Sequence, residues 1–69
     1  MDTQELERRL QQRSHHHDAA LAVADDGGGV TASFRRTDGT VVLSADGRDR
    51  AAALQALYEL DELEDLAGG

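Results

Sequence analysis

Residues 30–47 read VTASFRRTDGTVVLSADG, with two β-type runs on either side of a turn signal. In VTASFRR and again in VVLSA, apolar and polar residues alternate, which is typical of strands with one buried face. Asp38-Gly39 lies between the two runs, and an Asp-Gly pair in this position is typical of a tight hairpin turn. The stretch therefore predicts a β-hairpin with one apolar face.

A further strand is predicted before the hairpin, at residues 19–24, where AALAVA precedes the turn signal DDGGG. The alternative is that these residues extend the preceding helix, because alanine and leucine are good helix formers. That first helix is predicted to open at Asp2, which forms a capping-box pattern with Glu5, and to end near Ser14.

A second helix is predicted after the hairpin. Asp46 is a suitable N-cap and Asp49 stands three residues later, so this helix is expected to begin near Gly47. The fold class is then α+β, with the order α-β-β-β-α and an antiparallel meander packed by helices. If residues 19–24 are helical instead, the order becomes α-β-β-α. We expect one domain over residues 1–66 and a frayed tail over 67–69.

Length and composition restrict the possible functions. A chain of 69 residues has room for one small domain, and it contains no cysteine for a disulfide or a thiolate metal site. No stretch is apolar enough to span a membrane, so a cytoplasmic protein without a membrane partner is expected. So short a chain can hardly form a ligand pocket of several hundred Å³. We therefore expect no enzyme activity, no cofactor and no small-molecule substrate.

The charge is strongly acidic and unevenly distributed. Fourteen Asp and Glu residues oppose seven arginines, lysine is absent, and the net charge is −7. This composition resembles that of proteins from salt-loving archaea, although a GC-rich genome also favours arginine over lysine. Residues 1–50 carry nine acids and seven arginines, whereas residues 51–69 carry five acids and no base. The second helix is therefore predicted to be an acidic surface.

Leucine recurs at every third position of LQALYELDELEDL, residues 54–66. An α-helix has about 3.6 residues per turn, so a period of three cannot keep all of these leucines on one face. The face that starts at Leu54 continues to Leu60 and then meets Asp61, so packing on the sheet is expected to end near Leu60. Leu63 and Leu66 are left to contact the first helix or another molecule.

This pattern predicts a non-enzymatic interaction module. An exposed apolar helix end surrounded by carboxylates suits a protein partner that carries basic residues, or self-association into a homo-oligomer. The residues expected to make this contact are Leu63, Leu66, Glu59, Glu62 and Glu64.

The histidine triplet at residues 15–17 offers metal ligands of the right chemistry but the wrong spacing. Consecutive side chains diverge, whereas helical ligand pairs stand three or four residues apart. His15 and His17 are therefore weak metal candidates, and a polar loop is the ordinary interpretation. None of the serines follows a nucleophile-elbow pattern, so no catalytic residue is predicted.

The order of elements and the stretch GTVVLSADGRDRAAALQALYEL resemble double-stranded-RNA-binding domains. In that family a β-hairpin leads into a helix whose first turn binds phosphates, a role that the resemblance gives to Arg48 and Arg50. Ala51 and Ala52 stand where the family has further basic residues, and the net charge of −7 disfavours a polyanionic partner. The alternative function is thus nucleic-acid binding by Arg35, Arg36, Arg48 and Arg50.

The stretch LAVADDGGGVTASF, followed by SADGRDRAAALQAL, is similar to HicB-type antitoxin domains over about residues 20–60. The resemblance implies an antitoxin-like regulator, although the proline and Gly-Cys features of that family's second strand are absent. The variant order α-β-β-α resembles the small head-to-tail joining proteins of tailed phages, which implies a structural role.

Overall fold

The computed structural model describes residues 2–68 and has the order α-β-β-β-α. The predicted α+β class is therefore confirmed, and residues 20–25 form a strand, not an extension of the first helix. The elements are α1 (Thr3–His16), β1 (Ala20–Asp25), β2 (Val30–Arg35), β3 (Val41–Gly47) and α2 (Arg50–Gly68).

The first helix begins as predicted and ends later. The Asp2 carboxylate accepts a hydrogen bond from the Gln4 backbone N–H and caps α1. The helix continues through His16, and His17 serves as its C-cap. The prediction of an end near Ser14 and a histidine loop is therefore wrong for His15 and His16, which are helical.

The three strands form an antiparallel meander in the order β1-β2-β3. Gly39 has φ of 92°, a conformation that favours glycine, and it closes the predicted β2–β3 hairpin. The register between these strands shifts at Phe34/Arg35, where a bulge places an extra residue in β3.

Both helices cover the same face of the sheet. The apolar residues of β2 alternate onto that face, where they pack against leucines from α1 and α2 in one core. The other face of the sheet carries mostly small and polar side chains, of which Ser33 is buried, together with Val41, which is 44% exposed. The buried core consists of Leu6, Leu10, Val30, Ala32, Phe34, Ala53, Leu54 and Leu57.

The second helix begins three residues later than predicted, and its cap is Asp49 instead of Asp46. The Asp49 carboxylate accepts a hydrogen bond from the Ala52 N–H at 2.8 Å, and its carbonyl accepts one from Ala53. Asp46 belongs to β3, where it accepts a hydrogen bond from the Thr31 hydroxyl. The pairing of β3 with β2 therefore determines where the helix can start.

The helix α2 runs back along β3, and its last residues extend past the body of the domain. Ala67 and Gly68 continue the helix, while Gly69, the last residue of the predicted tail 67–69, lies outside the described residues. No helix within residues 2–68 combines the length and the hydropathy needed to cross a membrane.

Candidate functional site

The C-terminal end of α2 is an exposed helix end. All residues from Glu62 to Ala67 are exposed, and we call this segment the α2 tip. It contains Leu63, with 63% of its surface exposed, and Leu66, with 79% exposed. Three large apolar side chains are exposed in the described residues, and two of them are in the α2 tip, as the geometric argument from the leucine period predicted; the third is Val41 on β3.

The two leucines lie on the side of α2 that is turned away from the domain. At 100° per residue, Leu63 is about 160° around the helix from Asp61, which is buried against α1. Leu66 is three residues after Leu63, and Ala67 is four residues after Leu63, so these three side chains form one apolar strip. The half-buried Leu60 continues this strip towards the domain.

Carboxylates surround the apolar strip. Glu59 and Glu62 lie one turn before Leu63 and Leu66, respectively, and both glutamates are exposed. Glu62 has a loose ion pair with Arg13 at 3.7 Å. Glu64 is also exposed, but it faces the cleft between the two helices instead of the leucines. Four of the five predicted contact residues, Leu63, Leu66, Glu59 and Glu62, therefore lie on one side of α2, and Glu64 does not.

Asp61 is buried, contrary to the prediction that the carboxylates of α2 face solvent. Only 3% of its surface is exposed. One oxygen accepts a hydrogen bond from the Arg13 guanidinium at 2.6 Å, and the other contacts Nε2 of His17 at 2.6 Å. The buried face of α2 therefore continues for one position beyond Leu60, because α1 supplies two partners for this carboxylate.

Aromatic rings hold these partners in place. The His17 ring stacks on Phe34 with the ring centroids 5.2 Å apart, and the Arg13 guanidinium lies 4.7 Å above the Tyr58 ring. The resulting polar cluster fixes the end of α1 against α2 just before the α2 tip begins. Sequence reasoning missed it, although Arg13 and His17 stand four residues apart and so lie on the same side of α1.

The Asp61 carboxylate is held in its charged form. Burial raises its pKa, but the hydrogen bonds from Arg13 and His17 outweigh burial and leave the pKa below its ordinary value of 3.8. A carboxyl with a lowered pKa in the folded state stabilises the fold above its unfolded-state pKa. This contribution is lost as the pH falls through the folded-state pKa.

We therefore expect acid to destabilise the domain below about pH 4, the unfolded-state pKa of aspartate. Replacing Asp61 by asparagine should lower the free energy of unfolding at pH 7 by about 2 kcal/mol and flatten this acid dependence. Urea titrations at several pH values measure both effects. Asp65→Asn is the matched control, because Asp65 is exposed on the same helix. Equal losses in the two variants would contradict the role of Asp61.

A cleft of about 930 Å³ opens beside the polar cluster, between α1 and α2 and above the start of β3. The expectation that so short a chain leaves no room for such a volume is therefore wrong. The cations at the cleft are already engaged, because Arg13 and His17 bind Asp61 and Arg9 binds Glu5. In the described part of the chain, every buried side-chain nitrogen and oxygen atom already has a hydrogen-bond partner. The cleft therefore offers no unpaired buried polar atom to a ligand.

The histidines do not converge on a metal site. His15 is exposed on α1, whereas His17 is engaged with Asp61 and Phe34. Within residues 2–68, no three His, Cys, Asp or Glu residues are arranged to hold a metal ion. The weak candidates His15 and His17 therefore share no site.

The four arginines of the alternative interface fall into two separate pairs. Arg35 pairs with the start of β3 and Arg48 follows its end, so the length of the strand, about 20 Å, separates their backbone positions. Arg50 forms an ion pair with Glu7, and Arg36 donates a hydrogen bond to the His17 carbonyl. Arg35 and Arg48 therefore lie at opposite ends of β3, and Arg36 and Arg50 already have partners within the domain.

No family model, curated protein or solved structure matches this chain.

Proposed function

We propose that the protein is an interaction module whose α2 tip binds a protein partner. The observation that carries the proposal is the exposure of Leu63 and Leu66 on a helix that the domain holds firmly up to Asp61. Exposed leucines that adjoin one another on a small domain are typical of binding surfaces. Burying each leucine side chain against a partner would contribute about 1.5–3 kcal/mol of favourable free energy.

The charge of α2 indicates the chemistry of the partner. Its acids, Glu59 to Asp65, have no basic residue beside them on the helix. A second α2 tip would therefore be repelled, whereas a segment with an apolar strip between lysines or arginines is complementary in both shape and charge. The proposed partner is a protein segment of this basic, amphipathic kind.

The polar cluster supports this role because it prepares the helix for binding. Asp61 connects α2 to Arg13 and His17 immediately before the α2 tip. The adjoining turns are therefore oriented before a partner arrives, which lowers the conformational entropy that binding must remove.

The test uses a synthetic amphipathic helical peptide with leucines on one face and lysines on its flanks, and a scrambled peptide of the same composition. We expect the first peptide to bind and the scrambled one to bind at least about tenfold more weakly, because only the first presents a continuous apolar strip. Isothermal titration calorimetry at two salt concentrations measures the affinity and its electrostatic part. Equal affinity for both peptides would show charge attraction without a docking site.

The variant that tests the site combines Leu63→Asp with Leu66→Asp. Both positions are exposed, so this variant should melt like the wild type and lose binding of the amphipathic peptide. The matched control, Ala24→Asp with Ser44→Asp, adds the same two charges to exposed positions on the sheet. Retained binding in the Leu63/Leu66 variant, or equal loss in the control, would refute the proposed site. A melting temperature that falls as for a core mutation would place both leucines in the core.

A further inference from the structure

The strand β1 forms an edge of the sheet and pairs only with β2. In an antiparallel pair, alternate residues direct their backbone N–H and C=O groups away from the partner strand. The outer side of β1 therefore presents a row of backbone donors and acceptors. Leu21 and Val23 face the helices and still remain partly exposed, so α1 leaves this edge open.

The opposite edge of the sheet differs in two respects. The bulge at Phe34/Arg35 interrupts the regular pairing of β3, and the exposed Asp46 lies on that strand. Bulges and charges are the features by which proteins keep edge strands from pairing with other chains. The register of β1 is uninterrupted, and its only charged residue is Asp25 at the end. Within residues 2–68, β1 is therefore the edge strand with an uninterrupted register and with no charge before its last residue.

We propose that β1 pairs antiparallel with β1 of a second copy, so that the two meanders form one continuous six-stranded sheet across a two-fold axis. Paired residues must lie on the same face of the sheet, so residues of equal parity oppose one another. Centring the pair on Ala22 places Leu21 of each copy against Val23 of the other. Two partly exposed apolar side chains from each copy then become neighbours on the helix-covered face.

Charge complementarity favours a second copy as the occupant. Asp25 ends β1 and Asp26 follows it, while His15, Arg35 and Arg36 line the surface at the other end of the strand. Antiparallel pairing brings the acidic end of each copy to the basic end of the other, and the symmetry makes this contact twice. In this register Asp18 of each copy stands opposite Asp26 of the other, so the attraction at each end comes from Arg35 and Arg36, which line the same surface.

This dimer does not depend on the proposed function, because it uses a different surface from the α2 tip. Since the two copies run antiparallel, their α2 tips would point in opposite directions. A dimer would then present two binding ends to partners.

Ala22→Lys tests the interface. Ala22 lies on the uncovered face of the sheet, so a lysine there should leave the monomer folded. In the dimer, however, it places two lysines directly opposite one another at the two-fold axis. We expect the wild type to sediment as a dimer in analytical ultracentrifugation. The dissociation constant of the Ala22→Lys dimer should be at least about tenfold higher than that of the wild type. Circular dichroism verifies that both remain folded.

The controls separate pairing at β1 from a general effect of charge. Ser44→Lys adds the same charge to the same face on β3 and should leave the dimer unchanged. Mixing Ala22→Lys with Ala22→Glu should restore dimers, because opposite charges then meet at the axis. A monomeric wild type would overturn the proposal. So would an unaffected Ala22→Lys dimer, equal dissociation by Ser44→Lys, or no recovery in the mixture.

Discussion

Replacing Leu57 by alanine is expected to lower the free energy of unfolding by about 2–5 kcal/mol. Leu57 is fully buried on the face of α2 that packs against the sheet, in one core with Phe34 and Leu10. The substitution removes buried apolar surface and leaves a cavity that the surrounding strands fill only in part. A domain of this size has a total stability of only about 3–10 kcal/mol, so the variant should be partly or fully unfolded at 37 °C.

Urea denaturation followed by circular dichroism measures this loss, and Leu63→Ala is the matched control. It makes the same chemical change two turns later on the same helix, at a side chain that is mostly exposed. We expect it to change the stability by less than about 0.5 kcal/mol. Similar losses in both variants would mean that the whole leucine stripe belongs to the core and that the proposed binding site is wrong.

Replacing Gly47 by alanine is expected to destabilise the domain by about 3 kcal/mol or more. A methyl group at this position would lie 2.6 Å from the carbonyl carbon of Ala52 and closer still to the backbone nitrogen of Ala53. These are backbone atoms in the first turn of α2, so they cannot move aside as a side chain would. The helix would have to shift away from the sheet and open the core around Ala53 and Leu54.

Thermal unfolding of Gly47→Ala should show a lower melting temperature and a smaller, less cooperative transition. Gly28→Ala is the matched control, because Gly28 lies in the β1–β2 loop with no atom closer than 4.0 Å to the added methyl group. Its φ is not in the left-handed region, so the control should melt within a few degrees of the wild type. If Gly47→Ala melts at the same temperature as the control, the close approach of α2 to β3 is incorrect.

The elements that the sequence predicts best are those set by local signals. The alternation on either side of Asp38-Gly39 gives the hairpin its strands and its turn, because both depend on neighbouring residues. The Asp2 cap and the burial of Leu6 and Leu10 follow from the same kind of local pattern. The exposure of Leu63 and Leu66 also follows, since the geometry of a helix fixes how far a three-residue period rotates.

The predictions that were wrong concern features that depend on residues far apart in the sequence. Asp46 and Asp49 are both acceptable N-caps, and only the pairing of Asp46 with Thr31 on β2 assigns it to the strand. Likewise, a carboxylate on an acidic helix gives no sign that it is buried. The burial of Asp61 depends on Arg13, which is 48 positions away in the chain.

The way α1 is joined to the domain also affects how the chain folds. The meander and α2 form from segments that are close in sequence, so little chain entropy opposes their first contacts. The helix α1 contacts α2 across pairs that are far apart in the chain, among them Glu7 with Arg50 at 43 positions and Arg13 with Asp61 at 48 positions. Loop closure therefore favours a route in which α1 docks last, and the loss of these two contacts would release it first. A species that has lost only α1 would keep the sheet hydrogen-bonded while it exposes the side of the core that Leu6 and Leu10 normally cover.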